Sequence, residues 1–142
     1  MIEVVIDFNK CPTNKKDFIL CLCDIFNIPR VFGWDAFKDN LWDMMTKEIP
    51  KDYKYDPNDE WGWRDYHDYE IYVGIDRALG VKNENGTRDD IKLILRNFYP
   101  FYKKYKSIAD DFLDIFLDVV NRSPKNSKES DDWYQMIMCI ES

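Results

Sequence analysis

Asp35, Asp39 and Asp43 are the side chains of this chain best suited to bind a charged group or to assist catalysis. They recur every four residues after Gly33, so in a helix they would lie above one another on one face, and Lys38 is the only basic residue among them. Stacked like charges destabilise the helix that carries them. Such a face is therefore either ordinary solvated surface or a surface that a cationic partner neutralises.

Acidic residues and tryptophans concentrate in one segment of the chain. Residues 34–70 contain eleven Asp or Glu against five Lys or Arg, and so carry six of the seven net negative charges. The segment also contains four of the five tryptophans: Trp34, Trp42, Trp61 and Trp63. A run of charge alone is usually a solvated loop. Aromatic anchors ringed by charge are instead typical of binding surfaces, which favours an interface here.

The sequence contains no recognisable catalytic motif. Its one histidine, His67, has no Ser or Cys nucleophile beside it, and there is no Walker loop, GxGxxG or metal-spaced cluster. These three carboxylates could in principle supply the catalytic acid pair of a glycosidase or the ligands of a Mg²⁺ ion. An exposed helix face, however, would neither raise the pKa of a carboxyl group nor complete the set of oxygen ligands around the ion. We therefore predict a protein that is not an enzyme and that uses no cofactor or metal.

Composition predicts a single globular domain spanning residues 1–142. The chain is 45% apolar and 16% aromatic, which excludes a disordered or fibrous class, and its net charge of −7 argues against direct nucleic-acid binding. We predict no membrane span and no secretory signal, hence a cytoplasmic protein. The cysteines lack metal or disulfide spacing and are predicted to be buried, reduced thiols: Cys11, Cys21, Cys23 and Cys139.

Apolar periodicity predicts strands separated by helices. The predicted elements are a strand at 2–8, helices at 14–26 and 34–46, a strand at 69–76, a helix from 87, a helix at 107–122 and a strand at 133–140. Pro12 and Thr13 should cap the first helix, and Pro100 should end or kink the third. Thr87 and Ser107, each with Asp three residues later, resemble capping boxes. Strands joined through helices imply a small parallel sheet.

Residues 29–41 read Pro-Arg-Val-Phe-Gly-Trp-Asp-Ala-Phe-Lys-Asp-Asn-Leu, and this run resembles the barstar family, which comprises intracellular inhibitors of secreted ribonucleases. Pro29, Phe32-Gly33 and the run from Trp34 to Leu41 are similar to the family signature of Pro, aromatic-Gly and apolar-Asp-Ala-apolar-x-Asp-x-Leu. The order of elements is also similar over nearly the whole chain. The chain departs from the pattern at Lys38, where the family has a neutral residue, and in an inserted acidic aromatic loop at 47–68.

The resemblance implies an α/β fold with a three-stranded parallel sheet packed with about four helices, and inhibition by the second helix. It implies that Asp35 and Asp39 face the basic active site of a toxin nuclease, with Asp118 at the rim. The expected partner surface comprises Phe32, Trp34, Asp35, Lys38, Asp39, Trp42, Asp43, Trp61, Trp63 and Asp118.

The expected partner is therefore a cognate bacterial toxin ribonuclease, bound by this immunity protein in a 1:1 heterodimer without direct nucleic-acid or membrane contact. Such pairs occur in toxin-antitoxin and contact-dependent inhibition systems. Two alternatives stay open at this point. The chain could be an immunity or adaptor protein for a basic partner that is not a ribonuclease, or a small enzyme that uses the acidic cluster.

Overall fold

The computed structural model of the protein describes residues 1–46, 80–122 and 133–141. Within these ranges the elements are β1 (Ile2–Asp7), a 3-10 turn (Phe8–Lys10), α1 (Lys15–Phe26), α2 (Trp34–Met45), β2 (Ile91–Arg96), α3 (Phe98–Lys104), α4 (Lys106–Arg122) and β3 (Met136–Glu141). The predicted loop at 47–68, with Trp61, Trp63 and His67, lies outside the described residues. So do the predicted strand at 69–76 and the linker at 123–132.

The three strands form a parallel sheet in the order β1-β2-β3. Ile2 aligns with Ile91, and Ile91 aligns with Met136, so β2 is the central strand. With four helices among the described residues, this confirms the predicted α/β class and the three-stranded parallel sheet. Parallel strands cannot be joined by tight turns, which is why helices separate them along the chain.

One face of the sheet carries the core. Val4 and Ile6 are buried on β1 together with Leu93 and Leu95 on β2, whereas the intervening Val5 is 40% exposed. Side chains alternate between the two faces of a strand, so Val4 and Ile6 share the helix-covered side. The largest fully buried helical side chains are phenylalanines: Phe18, Phe26, Phe37, Phe112 and Phe116.

The N-cap of the first helix lies one residue later than predicted. Asn14 rather than Thr13 is the N-cap, and its side-chain oxygen accepts a hydrogen bond of 2.9 Å from the backbone N–H of Asp17. The helix ends at Phe26, and its C-cap is Asn27, which adopts the left-handed conformation with φ 54°. Gly80 is joined to this end of α1, because its N–H donates to the carbonyl of Asn27 at 2.9 Å.

The predicted helix from 87 is wrong, because the chain forms β2 there. Thr87 does not cap a helix, and its N–H and hydroxyl both donate to the side chain of Asn83 in a turn. Pro100 lies in the first turn of α3 rather than at its end. The ring is tolerated there because the first four N–H groups of a helix have no partner within that helix.

The last two predicted elements are present, but each begins at a different residue from the one predicted. The helix predicted from Ser107 begins at Lys106, and the N–H of Ala109 donates to the carbonyl of Tyr105, so Ser107 lies inside α4. The strand predicted from Trp133 begins at Met136, and Trp133 forms an isolated antiparallel bridge with Thr46 instead. That bridge ties the end of α2 to the segment that enters β3. No helix in the described ranges is long and apolar enough to cross a membrane.

Candidate protein interface on the second helix

Helix α2 presents its acidic face outward because its opposite face is fixed in the core. Phe37 and Leu41 are fully buried, and Phe37 packs on Phe116 of α4 with a ring separation of 5.9 Å. The corner before the helix is also fixed, since the side chain of Asn40 donates to the carbonyl of Pro29 at 3.2 Å. The sequence folds this way because apolar side chains recur along one side of the helix and acids along the other.

Asp35 and Asp39 are both exposed on the outer side of α2. Neither forms an ion pair or hydrogen bond with any side chain in the part of the chain that the structure describes. Asp35 lies in the first turn, where a carboxylate interacts favourably with the helix dipole. Asp43 is half-buried and is therefore less exposed than the other two acids of the predicted row. The charge available to a partner on this helix is therefore concentrated at Asp35 and Asp39.

Lys38 and Asp118 are brought together across two helices. The ammonium nitrogen of Lys38 lies 3.7 Å from a carboxylate oxygen of Asp118 on α4, and 5.5 Å from the ring centroid of Trp42. Trp42 in turn packs edge-on against Trp133, with centroids 5.3 Å apart. Asp118, which the resemblance placed at the rim of the contact, is therefore already paired in the free protein.

The two aromatic residues before and at the start of α2 have different environments. Phe32 is 67% exposed, and the ammonium nitrogen of Lys16 lies 5.0 Å from the centroid of its ring. Trp34 is half-buried and packs edge-on against Phe18 and Phe37. Its indole nitrogen is buried without a hydrogen-bond partner among the described residues. Phe32 is thus available to a partner, whereas most of the Trp34 side chain packs against the core.

Lys16 is a surface residue that the sequence analysis missed. It lies in the first turn of α1, more than ten residues from Phe32, and no local spacing indicates their contact. A lysine near an exposed aromatic ring contributes a cation–π interaction of roughly 0.5–1 kcal/mol at such sites. Its charge also places a cation beside the otherwise acidic surface.

No group of three or more His, Cys, Asp or Glu side chains is arranged to hold a metal ion in residues 1–46, 80–122 and 133–141. The geometry of Asp35 and Asp39 also differs from a metal cage, because both carboxylates extend from one exposed helix face. Such a face can bind cationic side chains of another protein through charge-assisted hydrogen bonds.

Removing the Lys38–Asp118 pair is expected to change stability only slightly. Both side chains are about half exposed, at 45% and 49%, so the coupling energy should be roughly 0–1 kcal/mol and should fall as salt is added. The measurement is a double-mutant cycle of Lys38→Gln and Asp118→Asn by urea denaturation. A matched cycle with Asp114→Asn, an exposed acid one turn earlier on α4, should show weaker coupling. Equal coupling in both cycles would contradict a specific contact.

Comparison with known proteins finds no match to this chain. No family model matches it, and neither does any of the curated proteins or solved structures that were compared.

Proposed function

We propose that this chain is an immunity protein of the barstar type, which inhibits a bacterial toxin ribonuclease by inserting α2 into its basic active site. The observation that carries the proposal is the pair of exposed carboxylates, Asp35 and Asp39, which lack partners among the described residues on a helix whose other face is buried. They lie one helical turn apart. The acidic signature of residues 29–41 and the three-stranded parallel sheet support the same interpretation.

A ribonuclease active site is a suitable target for such a helix. It stabilises a negatively charged phosphorane with cationic side chains, and so presents a concave positive field. Two carboxylates on a rigid helix match that field and offer no bond that the enzyme can hydrolyse. Buried ion pairs are favourable only when each charge is matched and hydrogen-bonded, so recognition by this helix should be selective for one toxin.

The surroundings of the acidic pair extend the proposed contact. Phe32 supplies an exposed aromatic surface close to the start of α2, which suits an anchor at the edge of an interface. A toxin cation that approached Asp118 would have to compete with Lys38, which already pairs with that carboxylate. We therefore assign Asp118 a smaller share of the affinity than Asp39.

In this proposal the protein acts in the cytoplasm, as a monomer that forms a 1:1 complex, and it acts by occlusion rather than by catalysis. The net charge of −7 accelerates its encounter with a basic domain. The same surface would also suit a basic partner that is not a ribonuclease. The two functions differ in whether the bound partner loses nuclease activity.

The test combines a pull-down with a ribonuclease assay. The bait is this chain, the prey is the product of the adjacent gene, and inhibition is then titrated against purified prey. We expect nuclease activity to fall to zero with a sharp end point near one inhibitor per enzyme. Binding without loss of nuclease activity would support the adaptor function instead. Turnover of any substrate by the purified chain, lost on changing Asp35 or Asp39, would contradict the proposal.

A further inference from the structure

Helix α1 carries apolar side chains on its outer face as well as on its core face. The core face is completely buried and consists of Phe18, Ile19, Leu22, Cys23 and Phe26. On the opposite face, Leu20, Cys21 and Ile25 are half-buried. Positions 17, 20, 21, 24 and 25 have the three- and four-residue spacing of one helix face, so their side chains lie together. A helix that only covered the sheet would be polar on this outer face.

The outer face of α1 lines a groove with a volume of about 510 Å³. Leu20, Cys21 and Ile25 supply its apolar surface together with Pro12, which lies shortly before the helix. Because these side chains are only half-buried, they would lose further contact with water if another molecule covered them. That loss of apolar surface to water favours binding of an apolar group in the groove.

Two acids and one base also line this groove. The base neutralises one of the acids, because two guanidinium nitrogens of Arg30 lie 3.1 and 3.2 Å from the two carboxylate oxygens of Asp24. Asp17 is exposed and accepts a hydrogen bond from the side-chain amide of Asn14, but no cation pairs with it among the described residues. An uncompensated carboxylate beside an apolar surface repels phosphates of nucleic acids and lipids. It favours a protein segment that presents a cation next to an apolar side chain.

The groove meets the outer side of α2 at the corner between the two helices. Arg30 lines the groove, and the carbonyl of the preceding residue, Pro29, accepts a hydrogen bond of 3.2 Å from the side chain of Asn40 on α2. Asn40 directly follows Asp39 in sequence. A partner that binds Asp39 therefore lies next to the groove, and its contact surface can continue across the corner onto α1.

We propose that the groove beside α1 is a second contact site for the toxin that binds α2, and that it receives an apolar side chain flanked by a lysine or arginine. The apolar side chain packs on Leu20, Cys21 and Ile25, and the cation pairs with Asp17. This inference rests on the proposed function, because the occupant is the same toxin. It adds an apolar anchor to an otherwise acidic contact, and buried anchors contribute more to affinity than exposed ion pairs do.

The thiol of Cys21 can report whether the groove is occupied. The sequence analysis predicted four buried thiols, which is correct for Cys23 but wrong for the half-buried Cys11 and Cys21 and for the exposed Cys139. Burial raises the pKa of the Cys21 thiol, so this residue should be alkylated more slowly than Cys139 in the free chain. Cys139 lies on β3, outside the groove, and serves as the internal control.

The experiment alkylates the folded, full-length chain with N-ethylmaleimide, alone and with the purified product of the adjacent gene. Fragmentation mass spectrometry then gives the rate of alkylation at each cysteine. At a partner concentration of roughly 10 times Kd, we expect alkylation of Cys21 to slow roughly 10-fold, because only the unbound chain reacts. The rate at Cys139 should not change.

Ile25→Gln tests whether the apolar contact contributes to affinity. It should weaken binding of the same partner roughly 10-fold, because it removes apolar surface that the partner covers. The matched control is Ile137→Gln, at a residue that is 42% exposed on the face of the sheet opposite the buried Met136, and this variant should bind normally. Circular dichroism melting of both variants separates lost contact from unfolding.

The outcomes distinguish this inference from the proposed function. A partner that binds but leaves the alkylation rate of Cys21 unchanged would overturn the second contact site and leave inhibition by α2 intact. Normal binding by a folded Ile25→Gln would do the same, and if that variant unfolds, the alkylation of the unaltered chain decides. If no partner binds, both the proposed function and this inference are contradicted.

Two further results would assign the groove to a different occupant and so overturn the proposal. Protection of Cys21 that increases with the concentration of the chain alone would indicate a second copy in the groove. Alkylation of Cys21 that occurs only after denaturation would indicate that the chain itself covers the groove.

Discussion

Asp39→Ala is expected to weaken binding of the toxin by roughly 2–5 kcal/mol, mostly through faster dissociation. Asp39 is exposed on α2, one turn after Asp35, and has no partner among the described residues of the free protein. In the proposed complex it is desolvated against toxin cations, so its removal leaves those cations buried and unpaired. Surface plasmon resonance with the purified toxin would measure the change in both rate constants.

Two controls separate this loss from unfolding and from a general change in charge. Asp39→Ala should not lower the melting temperature, because it relieves repulsion with Asp35. Glu3→Gln removes the same charge from β1, on the face of the sheet opposite the buried Val4, and should change affinity far less. Two results would contradict the assignment of α2 as the inhibitory element. One is normal binding by Asp39→Ala, and the other is weak binding that is due only to unfolding of the variant.

Gly80→Ala is expected to destabilise the fold by roughly 2–5 kcal/mol. Gly80 has φ +89°, a left-handed conformation that costs an L-residue roughly 1–2 kcal/mol. A Cβ atom there would also lie 2.6 Å from Cγ of Met44, which is buried on α2, and overpacking adds roughly 1–3 kcal/mol. Urea denaturation would measure the loss.

Gly86→Ala is the matched control for this prediction. Gly86 has a similar φ of +76°, but a Cβ atom there would meet nothing within 4 Å. Gly86→Ala should therefore lower the free energy of unfolding only by the cost of placing an L-residue in the left-handed conformation, roughly 1–2 kcal/mol. Equal losses for the two variants would show that Met44 moves aside freely. In that case the segment at Gly80 would not fix the position of α2.

Most helices and the outer strands were predictable from the sequence because their apolar residues have a clear period. The stripe of Phe18, Leu22 and Phe26 is buried as its spacing indicates, and so are Phe37 and Leu41 on α2. Prediction failed at β2, where a threonine and an aspartate three residues apart imitate a helix cap. The run from Ile91 to Leu95, which is apolar except at Lys92, is instead a central strand that is buried almost throughout.

The surroundings of the acidic residues could not be predicted from local spacing. Asp35 and Asp39 lie on the face that a four-residue repeat predicts, but the Lys38–Asp118 pair joins positions eighty residues apart. Only the packing of α2 against α4 brings these two charges together. The same reason explains the missed contact of Lys16 with Phe32, which depends on the placement of the corner before α2.

The parallel sheet has a consequence for how the chain folds during synthesis. Ile2 pairs with Ile91, so β1 has no neighbour in the sheet until the ribosome has made β2, and β2 must then wait for Met136 before its other edge is covered. Closing such long loops costs conformational entropy before strand pairing can compensate for it. This cost slows folding. The apolar strand β1 is therefore exposed on the nascent chain until β2 has been made, and this is the stage at which chaperones would be needed most.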